Sequence, residues 1–393
     1  MLDAALINRR LARLISIHSR SIDGFQVSDA RFKHTGCYAC PFFLILSPKT
    51  MEHALGMILL TGTAVVIAGI LLGWSADRIA NATGLGKLWT GWVLLAGATS
   101  VPEFVYRHLA VRIHATNLAS GDFFGSSLTN MAILAVLALL FPPGSEEGST
   151  GDNSHGVAMQ DLPDLSNAGL AILLTVLETA FTCFHSNNDF AGLRPESLSL
   201  LVLWIVGTRI LYKRQRAQCD GPGAAAAGLA RESLTDRISR ASWPIATFVT
   251  GASIIFLVAP IFARSAQQFA AVSGWGDSFV GTWLVGFSTA LPDLVSSLTA
   301  CRLGAFDLAV ASLYGSCAFN MVVFFVMDLV STRPVFSLLD PVLALSGGSA
   351  VMLMLVGVAV VLLRRHLVLA PTLRGGVLMA SYAIAILIIY ACR

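Results

Sequence analysis

The feature that most constrains this chain is the spacing of its charges. Apolar runs of 18 to 25 residues follow one another through the sequence, and most charged side chains sit in the short stretches between them. At 1.5 Å rise per residue such a run is a helix about as long as the roughly 30 Å hydrocarbon core of a bilayer. Only 12% of the 393 residues are charged and 55% are hydrophobic, which excludes a large soluble protein, in which about a quarter would be charged. The reading is an all-α polytopic protein, integral and multi-pass in the plasma (inner) membrane. Ten candidate spans cover residues 54–74, 88–110, 116–140, 165–184, 195–212, 243–264, 278–300, 305–330, 342–363 and 372–391. The net charge of +3 is the small difference of 26 basic and 23 acidic residues and implies no nucleic-acid partner. The partners implied are the lipid bilayer and inorganic cations, with no obligate protein partner. Seven scattered cysteines make neither a disulfide framework nor a zinc pattern, and Cys37-x-x-Cys40 is a weak metal or redox signal.

The most polar interior stretch, residues 213–242, holds six Lys/Arg and the run Gly221-Pro-Gly-Ala-Ala-Ala-Ala-Gly228. It divides the chain into a first half, 51–212, and a second half, 243–393, each with five spans. A shift of 190 residues aligns 97–130 with 287–320 without a gap, with 11 of 34 positions identical. The matches fall on polar and helix-breaking residues: Thr99/Thr289, Pro102/Pro292, Gly125/Gly315, Ser126/Ser316 and Asn130/Asn320, with Glu103 opposite Asp293. Two lipid-facing helices would match in Leu and Val instead. Because the copies are offset by five spans, an odd number, the second enters the bilayer from the opposite side, giving two inverted-topology five-helix repeats.

With the 213–242 linker on the cytoplasmic side, twelve Lys/Arg fall inside and six outside, the N-terminal 50 residues excluded, in keeping with the positive-inside rule. Those first 50 residues dissent, with seven Lys/Arg on the outer side and no signal-peptide layout. They are read either as a short, poorly ordered extension or as sequence upstream of a physiological start at Met51, and the charge rule favours the second.

Glu103, Asp122 and Asp293 lie well inside apolar spans, where an ionised carboxylate costs several kcal/mol unless it faces protein, water or a cation. Thr99 and Glu103 are one helical turn apart with Ser100 adjacent, and Pro102 frees a carbonyl in the preceding turn. Asp122, Ser126 and Asn130 share one helix face by their spacing of four, as do Ser312, Ser316 and Asn320. Each repeat therefore offers carboxylate, hydroxyl, amide and backbone oxygens near the midplane. Such a set, without His or Cys, suits hard cations such as Ca²⁺ and Na⁺. Small polar residues at this spacing also serve as packing glue between membrane helices, but packing requires neither acid.

On these residues the chain resembles a known family. Thr99-Ser-Val-Pro-Glu103 with Gly125-Ser126 and Asn130, and Thr289-Ala-Leu-Pro-Asp293 with Gly315-Ser316 and Asn320, are similar to the two alpha repeats of the calcium:cation antiporter superfamily, which includes the sodium/calcium exchangers. The resemblance implies a secondary transporter, not an enzyme, exchanging Ca²⁺ for Na⁺ by alternating access with no permanently bound cofactor. It implies Glu103 and Asp293 as the principal metal ligands, and Thr99, Ser100, Ser126, Asn130, Thr289, Ser316 and Asn320 completing the cation sites. Backbone carbonyls near Ala96 and Gly286 would join the Na⁺ sites by the same analogy.

The chain also departs from the family pattern. Members often carry Glu after the second proline and Asp at the last position of the second repeat, where Asp293 and Asn320 stand here, and Ala290 replaces a usual Ser. Pro-Asp followed by Asp307 and Ser312 is similar to the potassium-dependent branch, which makes K⁺ co-transport a variant to test, and H⁺ coupling ranks lower. Arg107 lies one turn beyond Glu103, level with Asp122 in antiparallel spans, so the two form either an external gate or, if Arg107 snorkels to the interface, no pair. Ser297 and Ser312 occupy the symmetry-related places. Arg107 and Asn320 also favour a different class, a cation-sensing or structural membrane protein on the same scaffold. Gly274-Trp-Gly-Asp277 matches the G-x-G-D of intramembrane aspartyl proteases but lacks a partner Asp in a matching helix. Glu178 and Asp328 have no repeat partner and are read as interior-facing or interfacial.

Overall fold

The computed structural model of the protein describes residues 51–83, 85–101, 103–104, 116–141, 165–184, 194–219, 234–272, 280–330, 335–336, 343–366 and 371–391. Among them are ten helices and no strand, as the bilayer demands, since a helix satisfies every backbone group within its own segment. In chain order α1 is Met51–Thr83, α3 Thr116–Leu140, α4 Ser166–Cys183 and α5 Pro195–Cys219. The second set is α6 Leu234–Val272, α7 Val280–Arg302, α8 Phe306–Val330, α9 Leu343–His366 and α10 Pro371–Ala391. Between α1 and α3, α2 opens with one turn, Lys87–Trp89, passes through a π-helical stretch, Thr90–Leu95, and returns to α geometry over 96–101 and 103–104. Hydropathy finds these helices but not their ends. Thus α1 runs nine residues past its expected end at 74, and α5 and α6 both continue into the polar 213–242 stretch.

The packing obeys a pseudo-two-fold relation between helices five apart. α2 lies on α8 as α7 lies on α3, α4 on α8 as α9 on α3, and α5 on α8 as α10 on α3. The pairs α1–α6, α3–α8 and α4–α9 each join a helix to its own counterpart. This is the inverted repeat in three dimensions. α8 is the central element: 78% of its apolar window is buried, against 28% for α1 and 22% for α6. The outer helices expose Leu59, Leu60, Val249, Leu257 and Leu387, which lipid tails solvate as readily as protein would. Six described helices, α1, α4, α5, α6, α8 and α9, are long and apolar enough to cross a membrane on their own account.

Two glycines set the depth of the centre. A Cβ on Gly91 would fall 2.5 Å from the Leu308 carbonyl oxygen, and one on Gly315 would fall 2.7 Å from the Trp92 carbonyl oxygen. Hence the π-helical stretch of α2 and the middle of α8 meet backbone to backbone, an approach that any larger residue blocks.

Candidate cation-binding site

The site is built on two helical hairpins. α7 ends in a Schellman turn: Gly304, at φ 72°, donates its N–H to Cys301 O (3.0 Å), and Ala305 donates to Ala300 O (2.9 Å). That turn folds α8 back antiparallel along α7 and fixes their register. Asp293 and Ser316 face one another, with Ser316 Oγ donating to Asp293 Oδ1 at 3.1 Å. Stepping four residues along each helix in opposite directions sets Thr289 level with Asn320 on one side and Ser297 level with Ser312 on the other. These are rungs of a polar ladder. The first hairpin repeats it: Ser126 Oγ donates to both oxygens of Glu103 (3.2 and 3.1 Å), and the same step sets Thr99 level with Asn130.

Each carboxylate is thus held by the serine of the neighbouring helix and removed from solvent, Glu103 at 5% and Asp293 at 2% exposure. Thr99 Oγ1 donates to the carbonyls of Leu95 and Ala96 (3.0 and 3.1 Å), which leaves its lone pairs for a cation. Ser100, Asn130, Ser316 and Asn320 are also buried. Pro292, inside α7, has no N–H to give and so releases the carbonyl one turn before it.

The two hairpins meet where α3 crosses α8. The Cys317 thiol donates to the Ser127 carbonyl (4.0 Å) and accepts from the Asn130 amide (3.8 Å). Since Cys317 and Ser127 are themselves 190 residues apart, this contact joins equivalent positions of the two repeats. Asn130 stands one turn from Ser126, the partner of Glu103, and Cys317 directly follows Ser316, the partner of Asp293, so the crossing brings the two carboxylate rungs together. The acids therefore converge on one centre from two sides. Among the described residues no three His, Cys, Asp or Glu side chains cluster, so the ligands on offer are two carboxylates with hydroxyl, amide and backbone oxygens. Such a set takes hard cations, with two negative charges to balance a divalent one.

Sequence reasoning missed Cys317, counted only among seven scattered cysteines, and Ser127 with it. The signal was present in the 190-residue shift, which pairs them as a mismatch within an otherwise matching Gly-Ser stretch. Glu178 and Asp328 are both interior. Thr182 Oγ1 donates to Glu178 Oε1 at 3.3 Å within α4. Asp328, at the end of α8, takes hydrogen bonds from Arg194 Nη1 (3.2 Å) and the Val335 N–H (2.8 Å). Arg194, one of the six Lys/Arg placed on the outer side by the charge count, is buried and ties the start of α5 to α8. Residues 1–50, Cys37, Cys40, Arg107, the Gly274–Asp277 motif and the side chain of Asp122 lie outside the described residues.

Fold and site together define a polytopic membrane protein with a buried oxygen-ligand centre between two inverted hairpins. The family described as sodium/calcium exchanger protein matches residues 53–213 and 243–392, and the chain belongs to that family of membrane cation antiporters. It is 26% identical over 278 residues to the inner membrane protein YrbG of Escherichia coli (strain K12), covering 67% of this chain and 78% of that one. It is 25% identical over 279 residues to the putative antiporter CaxA of Alkalimonas amylolytica, covering 67% and 79%. Among solved structures, the sodium-calcium exchanger NCX_Mj soaked with 10 mM Na⁺ and zero Ca²⁺ superposes with a TM-score of 0.64 at 20% identity, over 86% of this chain and 99% of that one. The fold is shared.

Proposed function

We propose that the protein exchanges Ca²⁺ for Na⁺ across the plasma (inner) membrane by alternating access, both ions using the centre between α2, α3, α7 and α8. The observation that carries this is the pair of equivalent, buried carboxylate–serine rungs, Glu103–Ser126 and Asp293–Ser316, brought to one place by the inverted hairpins. Two carboxylates neutralise one Ca²⁺ without a third acid, in keeping with Asn320 where relatives often have Asp. Na⁺ takes the same oxygen ligands, Thr99, Ser100, Asn130, Thr289 and Asn320 among them, so the two ions compete for one set of partners. Competition for a shared centre is the requirement of an exchanger, because only an occupied protein then crosses between its two faces. The inverted repeats supply those faces, since exchanging the conformations of the two halves turns one opening into the other. A relative named as a sodium-calcium exchanger at 99% coverage supports the reading.

The test is radiolabelled Ca²⁺ uptake into everted membrane vesicles loaded with Na⁺, across a grid of external Na⁺, K⁺ and pH. Uptake that needs outwardly directed Na⁺ is the expected result. Uptake driven by K⁺ or by a pH gradient alone reassigns the coupling ion. No uptake, with saturable Ca²⁺ binding to the purified protein, makes it a sensor on the exchanger scaffold.

A further inference from the structure

Serine and threonine inside a helix ordinarily donate their hydroxyl hydrogen to a carbonyl three or four residues back. Thr61, Ser75, Thr129, Thr175, Ser265 and Thr299 all do so here. Among the described residues four buried serines find no partner of any kind: Ser100, Ser127, Ser297 and Ser312 are 0–1% exposed and their Oγ atoms meet no hydrogen-bond partner. All four stand on the helices that build the centre. Ser100 and Ser127 belong to the rungs and crossing already described. Ser297 and Ser312 share a rung of their own, one helical turn, about 5 Å, beyond Asp293–Ser316 toward the α7–α8 turn.

We propose that the Ser297–Ser312 rung is a transit site for a partly dehydrated monovalent cation, Na⁺, between the carboxylate centre and the face that carries the α7–α8 turn. Packing does not explain it, because two buried hydroxyls left unbonded cost free energy that alanine at the same places would avoid. The third wall is the π-helical stretch of α2: a Cβ on Gly91 would stand 3.2 Å from the Ser312 amide nitrogen. The main chain of α2 therefore lies directly against the rung. The rung itself has no carboxylate, so a divalent ion there would be uncompensated, whereas a monovalent ion is suited to neutral hydroxyl and carbonyl oxygens. Positive-inside counting makes the turn face cytoplasmic, with Arg302 in the turn. The rung is one-sided, since the equivalent positions in the first repeat are Arg107 and Asp122. The choice of Na⁺ rests on the exchange proposed above; the existence of the site does not.

Radiolabelled Na⁺ binding to the purified full chain decides it. Three proteins are compared: wild type, E103Q/D293N, and E103Q/D293N with S297A/S312A added. The expected result is that E103Q/D293N keeps a weakened, saturable Na⁺ component, and that the serine replacements weaken it by about fivefold or more. In vesicles, S297A/S312A alone should raise half-saturating Na⁺ about fivefold from the turn face and leave the opposite face unchanged. Binding indifferent to the serines, no Na⁺ binding at all to E103Q/D293N, or equal shifts at both faces each overturn the proposal. Should the alanines unfold the protein, S297T against S297V, equal in volume and differing in the hydroxyl, gives the same decision. If the wild type does not exchange Ca²⁺ for Na⁺, the function proposed above fails while the binding comparison still rules on the rung.

Discussion

The α2–α3 and α7–α8 hairpins carry the same innermost rungs and differ away from them. Both place a carboxylate after proline, a serine opposite it, and a threonine–asparagine rung one turn along. Elsewhere they differ: α2 passes through a π-helical stretch, Ser100 faces Ala290 in the alignment, Ser127 faces Cys317, and Arg107 with Asp122 answers Ser297 with Ser312. Identity is kept where both halves must hold the same ion. It is lost at the crossing and one turn beyond the carboxylate rungs. A symmetric exchanger would treat its two faces alike, so on the exchange proposed above the asymmetric positions are the ones to test for direction and coupling.

The severest way to break this comparison is to neutralise one acid at a time. E103Q and D293N should each lower exchange roughly a hundredfold or more, since each removes a full charge from a centre that has two. Uptake in vesicles with matched protein abundance checks it, and a large loss from one variant alone would show that the halves are not equivalent. Next in size is the Arg194–Asp328 pair, which the repeat does not duplicate, since the 190-residue shift puts Ala138 opposite Asp328. R194A leaves a buried carboxylate without its cation and should destabilise the protein by about 3–5 kcal/mol, read as a lowered melting temperature in detergent. R194A/D328N should recover much of that loss. G91A should cost about 1–3 kcal/mol through overpacking at the α2–α8 contact, with the same readout. N320D, which restores an acid that relatives often have, should shift the Na⁺ and pH dependence of uptake severalfold while leaving maximal Ca²⁺ binding near wild type. Smallest of all, C317S makes the crossing identical in both repeats. It should change stability by less than about 1 kcal/mol, because a buried thiol and a hydroxyl fill similar space and Ser127 and Asn130 remain as partners.

How far the sequence revealed this molecule depended on the range of the physics involved. The ten helices were legible because lipid tolerates only long apolar runs, and Glu103 and Asp293 stood out because a carboxylate in such a run demands a reason. The inverted repeat was legible from a shift of 190 residues falling on polar positions. Helix ends were not, since hydropathy measures the membrane and not the helix: α5 and α6 extend into polar sequence as continuous helix. The Arg194–Asp328 bond joins residues 134 apart and the Cys317–Ser127 contact residues 190 apart. Neither leaves a local trace. The π-helical stretch was equally hidden, for it answers to the approach of α8 at Gly91 and Gly315 and not to any propensity of Thr90–Leu95.

The contacts that join a helix to its own counterpart, α1 to α6, α3 to α8 and α4 to α9, have the form of an isologous dimer interface, in which each patch is its own partner. Two separate half-length chains related by a two-fold axis would make every one of them. In such a dimer a single substitution alters both sides of the axis together, so no residue there can differ from its mate. Joining the halves in one chain removes that constraint: the position on the axis holds serine in one copy and cysteine in the other. The continuous chain has the freedom to be two different halves around one shared centre.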